Sequence, residues 1–102
     1  MSVSFEKELK NLTKNGKYYL GVSKAIKSIL KGEAKMVIIA DNIPLSYREK
    51  IEKGAKLSNI PVYVFKGTSL ELGALIGKPF KVSSISIVDT GDSRILDLVE
   101  TS

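Results

Sequence analysis

Three short stretches of this 102-residue chain carry residue types that could grip a polyanion. The first is Gly21–Val22–Ser23–Lys24, followed by Lys27 and Lys31. At the start of a helix these residues would offer free backbone N–H groups and the positive end of the helix dipole to a phosphate. Gly21 would let a phosphate come close to the backbone. Lys24, Lys27 and Lys31 recur at i, i+3, i+7, on the face away from the apolar positions. The same residues also fit a chain turn at Gly21 and a helix cap at Ser23. The second stretch is Asn42, just past an apolar run. Side chains at strand ends of α/β sheets border ligand crevices, and asparagine can hydrogen-bond a base edge with both amide atoms. A local Asx-turn before Pro44 uses the same side chain. The third is Lys78–Pro79–Phe80–Lys81–Val82, an aromatic between two lysines. An exposed Phe in a basic loop can stack on an unpaired base. A Phe sealing the edge of a core has the same sequence pattern.

Other chemistries are excluded or unsupported. With no Cys and no His, the chain has no Cys- or His-ligated zinc site, disulfide, thiol nucleophile or histidine base. Gly73–Gly77–Lys78 glances at a phosphate loop. That motif needs glycine where Leu72 stands and Ser or Thr where Pro79 stands. No G-x-G-x-x-G follows a strand-like run. Asp41, Asp89 and Asp92 lie near turns, where small acids serve as turn formers more often than as metal ligands. No Lys or Ser is marked out as a nucleophile. No metal and no cofactor are therefore expected.

Charge gives the class of partner. The net charge is +5, unevenly spread. Residues 1–56 hold 12 Lys/Arg against 6 Asp/Glu, and residues 57–102 hold 4 against 5. A basic half on a small domain suits nucleic acid, although a solvated lysine-rich surface reads the same way. No segment joins a lysine face to large apolar residues as a membrane-surface helix does, and the longest apolar runs, such as Met36–Ala40, are too short to span a bilayer. MSVSFEKELK lacks the basic-then-apolar order of a signal peptide, so a soluble intracellular protein is expected. Two Met, no Cys and no Gln lean toward a heat-adapted composition.

The elements that must position these stretches alternate. Ser4–Asn15 reads as a helix with Phe5, Leu9 and Leu12 on one face and Gly16 as its C′ residue. Tyr18–Leu20 is β-prone. Ser23–Lys31 reads as a helix with Ala25, Ile26, Ile29 and Leu30 inward and Gly32 ending it. Lys35–Ala40 has the unbroken apolar character of a central strand. Ser46–Ser58 reads as a helix with Tyr47, Ile51 and Ala55 inward, stopped by Ile60–Pro61, and Val62–Phe65 as a strand. Thr68–Ser69–Leu70–Glu71 is a capping box opening a helix that Gly77 and Pro79 terminate. Val82–Asp89 is a last strand, Thr90–Ser93 a turn, and Arg94–Val99 a short final element. Alternation of this kind calls for a largely parallel sheet with helices on both faces, and the length suits one domain, 1–102.

Two long segments, LGVSKAIKSILKGEAKMVIIADNIP and LSNIPVYVFKGTSLELGALIGKPFKVSSISIVDTGDSRIL, cover most of the chain. They closely resemble the archaeal and eukaryotic large-subunit ribosomal L-thirty-e family, a branch of the kink-turn RNA binders that include the L-seven-A-e type. The most specific pieces are ELG-x-x-x-GK-x-F-x-V, from Glu71 to Val82, and D-x-GDS-x-IL, from Asp89 to Leu96. The resemblance implies a three-layer α/β/α sandwich around a mixed four-stranded sheet. It also implies a site for sharply bent RNA with tandem sheared G·A pairs, formed by Gly21, Val22, Ser23, Lys24, Lys27, Asn42, Phe80, Lys81 and Val82. In that site Gly21 to Lys24 would face kink phosphates, Lys27 a phosphate or guanine, and Asn42 a base edge. Phe80 and Val82 would give apolar contact to a splayed nucleotide, with Lys81 on phosphate. Relatives often carry a basic residue at the position of Ser23 and, in eukaryotes, an aromatic at Val22; here the first positive charge is Lys24. The Asn-Glu pair of the L-seven-A-e branch is absent, which favours the ribosomal branch. The implied partners are ribosomal RNA at a kink-turn and neighbouring ribosomal proteins, with no membrane, no catalysis, a monomer when free, and a cytoplasmic location on the ribosome. Two alternatives are a regulatory kink-turn binder outside the ribosome and a small ligand-binding α/β domain.

Overall fold

The computed structural model describes residues 4–100. Residues 1–3, part of the stretch read above for a leader, lie outside the described residues. The elements run α1 (Phe5–Asn15), β1 (Lys17–Leu20), α2 (Val22–Leu30), β2 (Met36–Ala40), α3 (Leu45–Leu57), β3 (Val62–Phe65), α4 (Ser69–Leu75), β4 (Ser84–Asp89) and α5 (Asp97–Glu100). The four strands form one sheet in the order β1-β4-β2-β3.

The fold is the α/β sandwich that the resemblance implied. On one face, Leu9 and Leu12 of α1, Leu72 of α4 and Ile95 meet Met36, Ile38, Ile85 and Ile87 of the sheet. On the other, Ala25 and Ile29 of α2 and Ile51 and Ala55 of α3 meet Val37 and Ile39. Every residue of β2 is buried, as its unbroken apolar run demands of a strand covered on both faces. Thr68 and Glu71 form the capping box, each side chain bonding the other's backbone N–H. The Asp89–Leu96 signature is structural at its centre. Ser93 Oγ donates to the Glu8 carbonyl (2.8 Å) and Arg94 N–H to Glu8 Oε1 (2.7 Å), which dock the C-terminal turn on α1.

The expectation of a largely parallel sheet needs correction. β1, β2 and β3 run the same way, but β4 runs against them from between β1 and β2. Two of the three strand pairs are therefore antiparallel. The connection from β3 to β4 doubles back. α4 has 7 residues, and the loop after it returns along the helix, with Val82 N–H donating to the Ser69 carbonyl at the helix start (2.9 Å), so the chain re-enters the sheet at the end where it left.

Several side chains are placed otherwise than the periodicity implies. Leu30 is 79% exposed and Tyr47 45% exposed, because the faces of α2 and α3 that meet the sheet are filled by Ala25, Ile29, Ile51 and Ala55. Gly16 closes α1 with an extended backbone (φ −97°, ψ 179°), its N–H donating to the Leu12 carbonyl. The left-handed residue that stops α3 is Asn59 (φ 56°), ahead of Ile60–Pro61. The last strand begins at Ser84, leaving Val82 and Ser83 in the preceding loop.

Two stability predictions follow from this packing. Ser86 Oγ is fully buried on the central strand β4 with no hydrogen-bond partner among the described residues. Removing an unsatisfied hydroxyl recovers part of its desolvation cost, so Ser86→Ala is expected to raise stability by about 1 kcal/mol in urea titration; a lower midpoint would mean that the hydroxyl is bonded in solution. Gly21 sits at φ 101°, ψ 157°, with open space where a Cβ would project. The backbone conformation and not crowding is what demands glycine, and Gly21→Ala is expected to cost about 1–3 kcal/mol. An unchanged unfolding midpoint would contradict this.

Candidate nucleic-acid interface

Strand direction decides what the candidate residues can do together. β1, β2 and β3 all end at one edge of the sandwich, and β4 begins there. The start of α2, the loop after β2 and the loop before β4 are thus brought to one end of the sheet, although they are some sixty positions apart in sequence. Backbone bonds tie them. Gly21 N–H donates to the Ser84 carbonyl (3.0 Å) and Ala40 N–H to the Ser83 carbonyl (2.9 Å).

α2 opens at Gly21 with no side-chain cap and no acidic residue in its first turn. Ser23 does not cap it, so its hydroxyl stays exposed beside uncapped amides. The N-terminal amides and dipole end are thus available to an anion. Val22 is half-buried against the α2/α3 core and holds the turn in place. Lys24 is exposed, its Nζ 5.9 Å from the Tyr19 ring centroid, a cation–π contact that steers the ammonium along β1. Lys27 follows on α2, and Lys31 is the C-cap residue just past its end. With Tyr19, Lys24, Ser28 and Glu33 they line a shallow groove of ≈ 170 Å³.

Asn42 is exposed, and its Oδ1 accepts from Ser69 N–H (2.8 Å), the first residue of α4. This bond replaces the Asx-turn before Pro44 and fixes the amide orientation, leaving the Nδ2 donors without a partner among the described residues. Phe80 is 51% exposed and Lys81 exposed, so the aromatic does not seal the core edge. Val82 is the exception among the candidates. It is 2% exposed and packs in the α1/α4 core, with its N–H donating to the Ser69 carbonyl (2.9 Å). It anchors the loop, and Phe80 is the apolar side chain the loop leaves exposed.

The electrostatics are one-sided. Among the described residues the ion pairs are Arg48 with Asp41 and with Glu52, and Arg94 with Asp97. None of Lys24, Lys27, Lys78 and Lys81 is paired. Arg48 partly offsets Asp41, the one acid beside Asn42. A further cation went unread in the sequence: Lys66 follows β3, which ends at the same edge, and it is exposed. It lines a cleft with Asp41, Asn42, Gly67 and Thr68. The parallel pairing of β2 and β3 was the signal that would have found it. Among the described residues no group of His, Cys, Asp or Glu could hold a metal ion, and no helix is long and apolar enough to cross a membrane.

Known proteins give the same frame. A solved structure of a protein of unknown function from Bacillus halodurans superposes with a TM-score of 0.81, covering 99% of this chain and all of that one at 22% identity, a likeness of fold. Among curated proteins, the large ribosomal subunit protein eL30 of Saccharolobus solfataricus is 52% identical over 96% of this chain and 91% of its own. The eL30 of Methanocaldococcus jannaschii is 46% identical over 97% and 90%, and that of Aeropyrum pernix 42% over 96% and 98%. Residues 4–97 match the family described as ribosomal protein L7Ae/L30e/S12e/Gadd45. Matched over nearly its whole length, the chain belongs to the L7Ae/L30e/S12e/Gadd45 family of ribosomal proteins.

Proposed function

We propose that this protein is a structural, non-catalytic component of the large ribosomal subunit that binds ribosomal RNA at a kink-turn and holds it bent. The observation that carries the reading is the convergence of an uncapped helix start, unpaired lysines, the Asn42 amide and an exposed Phe80 at one end of the sheet. A kink brings phosphates of one strand close together, and their repulsion opposes the bend. A protein surface that places Lys24, Lys27 and Lys81 against them favours the bent conformer over the extended one. Unpaired bases at the kink leave a flat apolar face, which suits Phe80. The relatives named eL30 of the large ribosomal subunit support the ribosome as the setting, and with it a cytoplasmic location and ribosomal proteins as neighbours. In this reading residues 1–102 act as one RNA-binding domain, monomeric when free.

The test is binding to a kink-turn RNA and to the same RNA with its G·A pairs replaced by Watson–Crick pairs, across a salt series. Preference for the kink-turn that persists as salt rises is expected. Equal, salt-sensitive binding to both would reduce the basic end to a generic polyanion surface. Lys27→Ala is expected to weaken kink-turn binding and flatten its dependence on log salt by roughly 1, the share of one phosphate contact; affinity unchanged at matched salt removes Lys27 from the site. Phe80→Ala is expected to cost about 1–3 kcal/mol on the kink-turn and little on the duplex control. Equal loss on both would make Phe80 a packing residue. Co-sedimentation with ribosomes separates the ribosomal setting from a regulatory one.

A further inference from the structure

Gly73 stands in the interior of α4, where glycine is the poorest helix former after proline. It is buried, and a Cβ added there would overlap the Phe80 carbonyl oxygen, with the Phe80 carbonyl carbon at 3.3 Å and Val82 Cγ2 at 3.4 Å. The loop from Lys78 to Val82 is bonded to α4 on both sides of this contact. Lys78 N–H donates to the Gly73 carbonyl (2.9 Å), and Val82 N–H to the Ser69 carbonyl (2.9 Å). The far end of α4 is held in turn, since Ser69 N–H donates to Asn42 Oδ1.

We infer that Gly73 is a positioning residue for the RNA site. Its missing side chain lets the backbone of the Phe80 loop lie directly on α4, and this sets how far the Phe80 ring stands out from the surface. The backbone here is α-helical and open to any L residue, so the demand for glycine comes from the neighbouring loop and not from φ. A methyl group at this position cannot be absorbed by a side-chain rotation, because the atoms it meets are main chain. The loop must lift at Phe80, and the ring lifts with it. Asn42, through Ser69, fixes the other end of the same platform. The inference rests on the proposed role of Phe80 in kink-turn binding.

A double-mutant cycle tests it. Gly73→Ala is expected to weaken kink-turn binding about tenfold in the parent protein and less than about twofold in a Phe80→Ala background, because the displaced contact is already gone. Binding to the Watson–Crick control RNA should stay unchanged in both. A purely structural role for Gly73 would lower the melting temperature without coupling to Phe80. Unchanged affinity of Gly73→Ala below its melting temperature, or equal loss in both backgrounds, overturns the inference. If Phe80→Ala itself costs no selectivity, the reading of the site falls first, and that outcome is distinct. Should Gly73→Ala fail to fold, amide hydrogen exchange of the unmutated protein decides. The Lys78 and Val82 amides are expected to exchange as slowly as helical amides of α4, and exchange at open-loop rates would show that α4 does not hold the loop.

Discussion

The return of the chain along α4 is the constraint on which the candidate site depends. α3 carries the chain back along the sheet, so β3 lies parallel to β2. After α4 the chain instead turns back beside the helix, held by the bond from Val82 N–H to the Ser69 carbonyl, and β4 enters from the end at which β3 left. Because β4 takes a central position, it brings the Lys78–Ser83 loop between the exits of β1 and β2. A connection that crossed the sheet as α3 does would have sent that loop to the opposite end. Gly21, Asn42 and Phe80 share an edge through topology, and three backbone or side-chain bonds (Gly21 to Ser84, Ala40 to Ser83, Asn42 to Ser69) then set their spacing.

Gathering cations this way has a cost in the free protein. Lysines at one edge without carboxylate partners repel one another, weakly in water and less weakly near a low-dielectric surface. Elsewhere the arginines are paired, Arg48 with Glu52 and Arg94 with Asp97. Unpaired lysines at one end and paired arginines on the flanks make a surface whose charge is best matched by an added polyanion. The uncapped start of α2 has the same character, since its free amides are satisfied by water or by an anion.

What was legible in the sequence follows from how local the physics is. The capping box, the strand Val62–Phe65 and the buried run of β2 depend on neighbouring residues and on burial, and their patterns show it. Strand direction does not, since alternation of helices and strands is blind to whether a connection crosses the sheet or doubles back. The resemblance supplied the mixed sheet that alternation could not. Leu30 and Tyr47 were misplaced for a related reason. Periodicity gives an apolar arc, but small residues such as Ala25 and Ala55 decide which part of the arc reaches the sheet. Asn59 was overlooked because asparagine marks a left-handed stop less plainly than the glycines at 32 and 77. Val82 reads as the first residue of the last strand, but that strand begins at Ser84, and Val82 turns inward from the loop before it.

That inward turn divides labour within one loop. Val82 is buried and bonded, while Phe80, two residues away, is exposed and has no core to pack in. An aromatic on a free loop would lose its conformational freedom on meeting RNA, and that ordering subtracts from affinity. Here the loss is already incurred in folding, because the loop backbone is fixed at Lys78 and Val82 and pressed against Gly73 between them. The same logic holds for Asn42, whose Oδ1 is spent on Ser69 so that its Nδ2 donors face outward in one orientation instead of several. In the proposed complex, residues that never touch the RNA would thus determine how much of the contact energy of those that do is retained as binding.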